Sequence, residues 1–274
     1  MVFMCTAMYS EAYPFIQKLN LKKDFLCHKF QIFKNKEVVL IITGIGKIKA
    51  AIGVTYLFSK YNFKVSDVLI NIGVCGTNDK NIEIGTLFLV NKIIEEDTKK
   101  TFYPDMIFKN PFKETSIETC SLSEKNSDKK YKGKLVDMEA SAVYEAALMF
   151  MECHQIFFIK IVSDHLNNEK LTKDLISKLI YDKSLQVLEW ISSLKEVFTY
   201  DKSVLSKLEK EKVKIISEKL KFSSTMKSQL KQILIYFKLQ NGSLNKLFDY
   251  YLDIECSSKN EGKRCFAEFK KRII

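Results

Sequence analysis

Along residues 1–195, short runs of apolar and β-branched residues alternate with stretches in which apolar positions recur every three or four residues. The runs Val2–Ala7, Phe30–Phe33, Val38–Thr43, Val68–Ile72, Thr86–Val90 and Ile156–Val162 read as strands, several of them apolar at every position, as strands covered on both faces require. Helical periodicity marks Ser10–Leu19, Lys47–Lys60, Glu139–Glu152 and Thr172–Leu194. Such alternation predicts a layered α/β fold in which crossover helices flank a central sheet. The polar stretch Glu95–Lys134 holds two of the three prolines and a charged run, Glu124–Lys134, and predicts long loops around one strand near Ile117–Cys120.

After Leu194 the strand pattern stops. Amphipathic helices are predicted at about Ser203–Lys221, Ser224–Leu239, Ser243–Leu252 and Glu261–Arg272, with Ser224 and Ser243 as N-caps and Asn241-Gly242 as a stop. Two domains follow, an α/β domain over 1–195 and a helical extension over 196–274. The apolar stripe Leu230, Ile233, Leu234, Phe237 fits an internal core, a cover for a site, a dimer contact or a docking face for a protein partner.

Composition narrows the class. The 274 residues are 46% hydrophobic, ample for a core. Apolar runs such as Val38–Ile42 are far shorter than the roughly 20 residues of a membrane-spanning helix, and the chain opens on a strand without a basic leader, so a soluble, cytoplasmic protein is expected. The seven cysteines are scattered with no CxxC pair, and His28, His154 and His165 share no ligand spacing, which predicts neither disulfides nor a metal. The net charge of +11 could suggest nucleic acid, but +7 of it lies in residues 196–274 and the only arginines are Arg264 and Arg272. A lysine-only excess lacks the bidentate donors that read guanine or phosphate, which argues against a nucleic-acid partner.

In open α/β sheets, ligands bind beyond the carboxyl ends of the strands. Four segments occupy such places: Thr6-Ala-Met-Tyr-Ser-Glu11, Thr43-Gly-Ile-Gly-Lys-Ile-Lys-Ala-Ala51, Asn71-Ile-Gly-Val-Cys-Gly76 and Ser163-Asp164. Each has an ordinary structural reading too: a helix-start acid at Glu11, a strand-to-helix turn at Gly44–Gly46 and again at Gly73–Gly76, a capping acid at Asp164. The segment Val136-Asp-Met-Glu-Ala-Ser-Ala-Val143 adds two acids, Asp137 and Glu139, flanking Met138 where an otherwise apolar helix opens.

In this order, these segments resemble the nucleoside phosphorylase/nucleosidase superfamily, and within it the methylthioadenosine/S-adenosylhomocysteine nucleosidases. The resemblance rests on Ala7-Met-Tyr-Ser-Glu11, Gly44-Ile-Gly-Lys-Ile-Lys-Ala-Ala51, Asn71–Gly76, Val136-Asp-Met-Glu-Ala140 and Lys160-Ile-Val-Ser-Asp164, and spans about residues 1–195. It implies a phosphorylase/hydrolase-like fold with a central mixed sheet, a homodimer, no cofactor, and a purine nucleoside as the small-molecule partner. It also implies that Glu11 activates water. Glu139 and the Met138 backbone would hold the ribose hydroxyls, and Asp164, steadied by Ser163, would protonate the purine. Gly76, Cys75 and Lys160 join the substrate-binding residues by the same likeness. Carboxylates around the sugar and an acid at the base suit a transition state with positive ribose and negative base.

Phosphorylases of the superfamily hold phosphate largely with arginines near the first Gly-rich turn, and residues 1–263 contain none. That favours water over phosphate, hence hydrolysis of a 5′-modified adenine nucleoside, with a phosphorylase or a non-catalytic nucleoside-binding protein as alternatives. The family's arginine four residues before the purine aspartate is Lys160 here. The region between Val90 and Val136 is shorter than in the usual nucleosidases, leaving Ile117–Ser123 without an aromatic where the base should stack. Phe102-Tyr-Pro-Asp105 is either a pocket closure or a loop anchor.

Overall fold

The computed structural model describes residues 1–121, 130–167, 171–199, 204–241 and 243–273, which fall into two compact units, Met1–Thr199 and Tyr200–Ile274. The first unit has ten strands: β1 (Val2–Thr6), β2 (Lys22–Lys23), β3 (Gln31–Lys34), β4 (Val38–Ile42), β5 (Val68–Gly76), β6 (Leu87–Glu95), β7 (Thr101–Phe102), β8 (Lys113–Thr119), β9 (Leu135–Asp137) and β10 (Ile156–Asp164). Its helices are α1 (Tyr9–Lys18), α2 (Lys47–Lys60), α3 (Ala140–Ala147) and α4 (Lys173–Thr199).

The sheet is mixed. β4, β1, β5 and β10 run parallel, β3 and β2 extend that edge antiparallel, and β6 returns antiparallel to β10. β8 pairs with β6, β9 with β8, and Gly76 of β5 with Val136 of β9, so β5, β10, β6, β8 and β9 close on themselves. On β1 the pleat divides the core: Phe3 and Cys5 join the α2 and α3 residues Ala50, Val54, Leu57 and Val143, while Val2 and Met4 join Phe15 of α1 and Ile180 and Trp190 of α4. The layered α/β class and the mixed sheet expected from the resemblance are both present.

Several boundaries move, each for a physical reason. β6 continues to Glu95 because the polar pair Asn91-Lys92 falls at a register shift against β8, after which Ile93-Ile94 resume the ladder. β5 reaches Gly76 despite two glycines, since β10 pairs along that whole stretch. The 95–134 region holds β7 and all of β8, whose polar face hides it from a hydrophobicity pattern; residues 122–129, most of the charged run, lie outside the described residues. α3 stops at Ala147, because the apolar stretch that follows carries no helical period, leaving Met149 exposed.

The second unit contains α5 (Lys207–Lys219), α6 (Ser224–Asn241), α7 (Asn245–Leu252) and α8 (Lys259–Ile273). Ser206 and Glu209 form a reciprocal capping box on α5. The hydroxyl nearest the start of α6 that accepts a backbone N–H is Ser223, from Met226 at 3.3 Å, one residue before the expected cap at Ser224; Ser243 accepts from Asn245 at 3.3 Å. Predicted helix start Ser203 and stop residue Gly242 lie outside the described residues. Leu230 and Leu234 are buried in this unit's own core with Ile233 and Phe237 packed against it, so the α6 stripe is spent internally. No helix among the described residues is long and apolar enough to cross a membrane.

Candidate active site

Because β1, β4, β5 and β10 are parallel, their carboxyl ends lie at one edge of the sheet, where the first four candidate segments follow them. α1 begins there. Glu11 sits in its first turn and reaches back to the Met8 amide as a capping box does, accepting from Met8 N and Ala7 N at 2.9 Å through Oε2. Oε1 accepts from Val74 N at 2.9 Å, across 63 residues of chain. The carboxylate thus fills a nest of three backbone donors, and it is 2% exposed. Burial pushes its pKa up, against the pull of the Val74, Met8 and Ala7 amides and of Lys160. Gly73 is what admits it, since a Cβ there would stand 2.9 Å from Oε1.

Glu139 is the N-cap residue of α3, and its Oε1 accepts from Gly46 N at 2.8 Å. Gly46 caps α2 with φ 101°, a left-handed conformation that turns its amide toward the carboxylate and that other residues reach only with strain. Burial raises the Glu139 pKa to about 7, reinforced by Asp137 and Glu11 and opposed by Lys160 and the Gly46 amide. An acid so raised lowers stability progressively as pH climbs from its ordinary value of 4.5 to about 7, and in the same window it becomes an anion. Met138 lies half-buried beside it.

Asp164 ends β10 at a register shift opposite Gly76. Its Oδ2 accepts from Ser163 Oγ at 2.7 Å and its Oδ1 from Leu166 N at 2.9 Å; the same Ser163 hydroxyl lies 3.1 Å from the Cys75 carbonyl. A Cβ on Gly76 would meet Leu166 Cδ2 at 2.2 Å and Asp164 Oδ1 at 3.2 Å, so that glycine leaves room for the carboxylate. Cys75 is buried, its thiol pushed up by desolvation within the fields of Lys160, Asp137 and Asp164. Cys5, raised to about 12 by burial, senses Lys160, Glu11 and Glu139. Lys160 acts on both thiols, linking the surroundings of Glu11 and Glu139 to those of Asp164.

Sequence reasoning placed Lys160 among the substrate-binding residues but left the carboxylate partners of Lys160 and Lys47 unassigned. Lys160 donates to Asp137 Oδ2 at 2.7 Å deep in the protein, and Asp137 also accepts from Thr119 Oγ1 at 2.8 Å and Ala140 N at 2.9 Å. Lys47, beside the Gly44–Gly46 turn, is held by Glu95 and Asp97 at 2.5 Å each. Only the pairing of β6, β8 and β9 puts these partners in reach, and no local spacing announces them. Phe102 packs on Tyr144 with ring centroids 5.4 Å apart and Asp105 accepts from Cys153 Sγ at 3.0 Å, which anchors that loop on α3 and the turn after it. A cleft of about 600 Å³ opens beside Ala7, Met8 and Gly44, lined also by Tyr9, Tyr13, Lys49 and Lys173.

Comparison with known proteins gives this geometry a context. A family model described as the phosphorylase superfamily matches residues 6–121. The 5′-methylthioadenosine/S-adenosylhomocysteine nucleosidase of Staphylococcus epidermidis is 35% identical over 107 residues, 38% of this chain and 46% of that protein; the chain thus spans under half the length of that curated relative. A Streptococcus pneumoniae enzyme of the same name, solved with a transition-state inhibitor, superposes with TM-score 0.57 at 19% identity over 71% of this chain and 98% of that one. A futalosine hydrolase mutant of Helicobacter pylori gives 0.58 at 14% identity over 70% and 98%. The two solved structures share the fold of the α/β unit, and the sequence matches make residues 6–121 similar to the phosphorylase superfamily.

Proposed function

We propose that this chain hydrolyses the N-glycosidic bond of a purine nucleoside, a 5′-modified adenine nucleoside such as methylthioadenosine, S-adenosylhomocysteine or 5′-deoxyadenosine, and releases the free base. The observation that carries this reading is the occupied donor nest. The amides of Ala7, Met8 and Val74 form the kind of backbone cradle that binds anions, and Glu11 already fills it. A second anion beside that carboxylate is disfavoured, whereas water beside a carboxylate of raised pKa meets a stronger base. Glu139 and the Met138 backbone then hold the ribose hydroxyls, and Asp164 passes a proton to the purine as the bond to the sugar breaks. The curated relatives named as nucleosidases support the substrate class.

Phosphorolysis is the second reading, favoured by Lys49 and Lys173 on the neighbouring cleft. One assay separates the two: base release from methylthioadenosine, S-adenosylhomocysteine, 5′-deoxyadenosine, adenosine, inosine and futalosine, each with and without phosphate. Release independent of phosphate is expected. Strict dependence on it would overturn hydrolysis, and no release from any substrate would point to a nucleoside-binding protein. Light scattering on the same sample tests the homodimer, for which Ile45, Ile48 and Ile52 offer an exposed apolar face at the start of α2.

The glycine beneath Glu11 gives a sharper check of the nest. In Gly73→Ala the new methyl meets Oε1 at 2.9 Å and must displace the carboxylate. A shift of about 1 Å in a catalytic base costs on the order of 10²-fold in kcat/KM. Steady-state kinetics paired with a melting curve should show that loss together with a lower Tm, because the displaced Oε1 leaves the buried Val74 amide without its acceptor; unaltered kinetics would mean that the carboxylate position is immaterial.

A further inference from the structure

Among the described residues Lys160 is the one lysine whose side chain is buried, at 1% exposure. It stands on β10 in register with Gly73 of β5, the glycine that admits Glu11, and with Phe88 of β6. An isolated ammonium there would be costly, since burial strips its hydration. Its nitrogen lies 2.7 Å from Asp137 Oδ2, and Asp137 in turn accepts from Thr119 Oγ1 and from Ala140 N at the first turn of α3. Thr119 Oγ1 also accepts from Ser141 N at 3.0 Å. The cation is thus paired within the protein itself and, through Asp137, tied to the helix start that presents Glu139.

The groups that act on Glu139 come from every side. Asp137 precedes it on β9, Lys160 lies on β10, Glu11 on α1, and the Gly46 amide at the start of α2, with the Cys5 thiol of β1 in the same field. Lys47 is already bound to Glu95 and Asp97. Three carboxylates therefore share one dry region with one cation. Like charges so placed cannot all ionise unless something offsets them.

We infer that Lys160 is a positioning residue rather than a substrate ligand: clasped by Asp137, it supplies the counter-charge that lets Glu11 and Glu139 stand as anions together, and it fixes the α3 start that carries Glu139. This inference rests on the reading of Glu11 and Glu139 as the working carboxylates, and its test is made without substrate so that the two can fail separately. The full chain is labelled with ¹³C at the Asp and Glu side-chain carboxyls and titrated as wild type, Lys160→Met, Lys160→Arg, Asp137→Asn and the double variant Asp137→Asn/Lys160→Met.

Removing the cation alone should make the site take up a proton near neutral pH, raising the midpoint of Glu11 or Glu139 by at least about one unit. Lys160→Arg keeps the charge and should hold the wild-type midpoints. The double variant removes one charge of each sign and should return Glu139 to within about half a unit of wild type, while Asp137→Asn alone should lower it. Unmoved midpoints in Lys160→Met, or the same shift with and without Asp137, would overturn the inference. If Lys160→Met does not fold, Asp137→Asn decides, and an unmoved Glu139 there overturns it. In active samples the acidic limb of kcat/KM should travel with the carboxyl midpoint; a raised KM with a stationary limb would instead make Lys160 a substrate contact.

Discussion

Asp164→Asn is expected to lower kcat/KM for base release by at least about 10²-fold, the range in which a positioned general acid contributes. The substitution is close to isosteric. Asn can still accept from Leu166 N through its carbonyl oxygen, and the Ser163 hydroxyl, which now donates to Oδ2 at 2.7 Å, can rotate to accept from the amide nitrogen. The shape of the β10 end and its fit against Gly76 are preserved, so Tm should hardly move. What disappears is the transferable proton. A purine leaves as an anion unless it is protonated, and the penalty should therefore fall on kcat more than on KM. Kinetics with wild-type values would remove Asp164 from the chemistry.

Glu11→Gln should be at least as damaging, about 10²- to 10⁴-fold in kcat, because the nucleophilic water loses its base. Here the structure predicts a second effect. Both carboxylate oxygens of Glu11 accept backbone N–H groups, Oε2 from Ala7 and Met8 and Oε1 from Val74. A carboxamide must turn its NH₂ toward one of these donors and leave it unsatisfied in a buried site, which costs about 1–3 kcal/mol. A lower Tm together with the kinetic loss is expected, unlike the Asn variant at 164. Retained activity would mean that another group activates water. A kinetic loss repaired by phosphate would mean that the nest, relieved of its carboxylate charge, had become an anion site.

The two variants differ because their surroundings were legible to different degrees. Glu11 at the start of a helix is readable from sequence, as is its reach back to Met8, since a capping box is a contact within one turn. That its other oxygen meets Val74 is not readable, because the register of β1 against β5 brings those residues together. Asp164 with Ser163 was visible as an adjacent pair at a strand end, and the resemblance gave it a role. The Lys160–Asp137 pair is invisible as such: the sequence offers Lys160 as a departure from a family pattern and a substrate-binding candidate, and Asp137 as a flanking acid. Only the course of β10 past β5, and of β9 beside β8, sets one against the other.

By itself, the sequence determined the alternation of strands and helices over residues 1–195, the helical run after it, and the placement of Glu11, Glu139 and Asp164 just beyond or before element ends. Those features are local, set by side-chain period, capping chemistry and the glycines that turns require. Tertiary structure decided where polar strands such as β8 pair, how β5, β10, β6, β8 and β9 close, and which charge each buried charge meets. Pairing depends on a register that a polar or bulged strand does not reveal in its own pattern, and a buried ion's partner is whatever residue that register delivers. The chain's lysine excess shows the consequence: Lys47 and Lys160 are both bound to carboxylates of the fold itself.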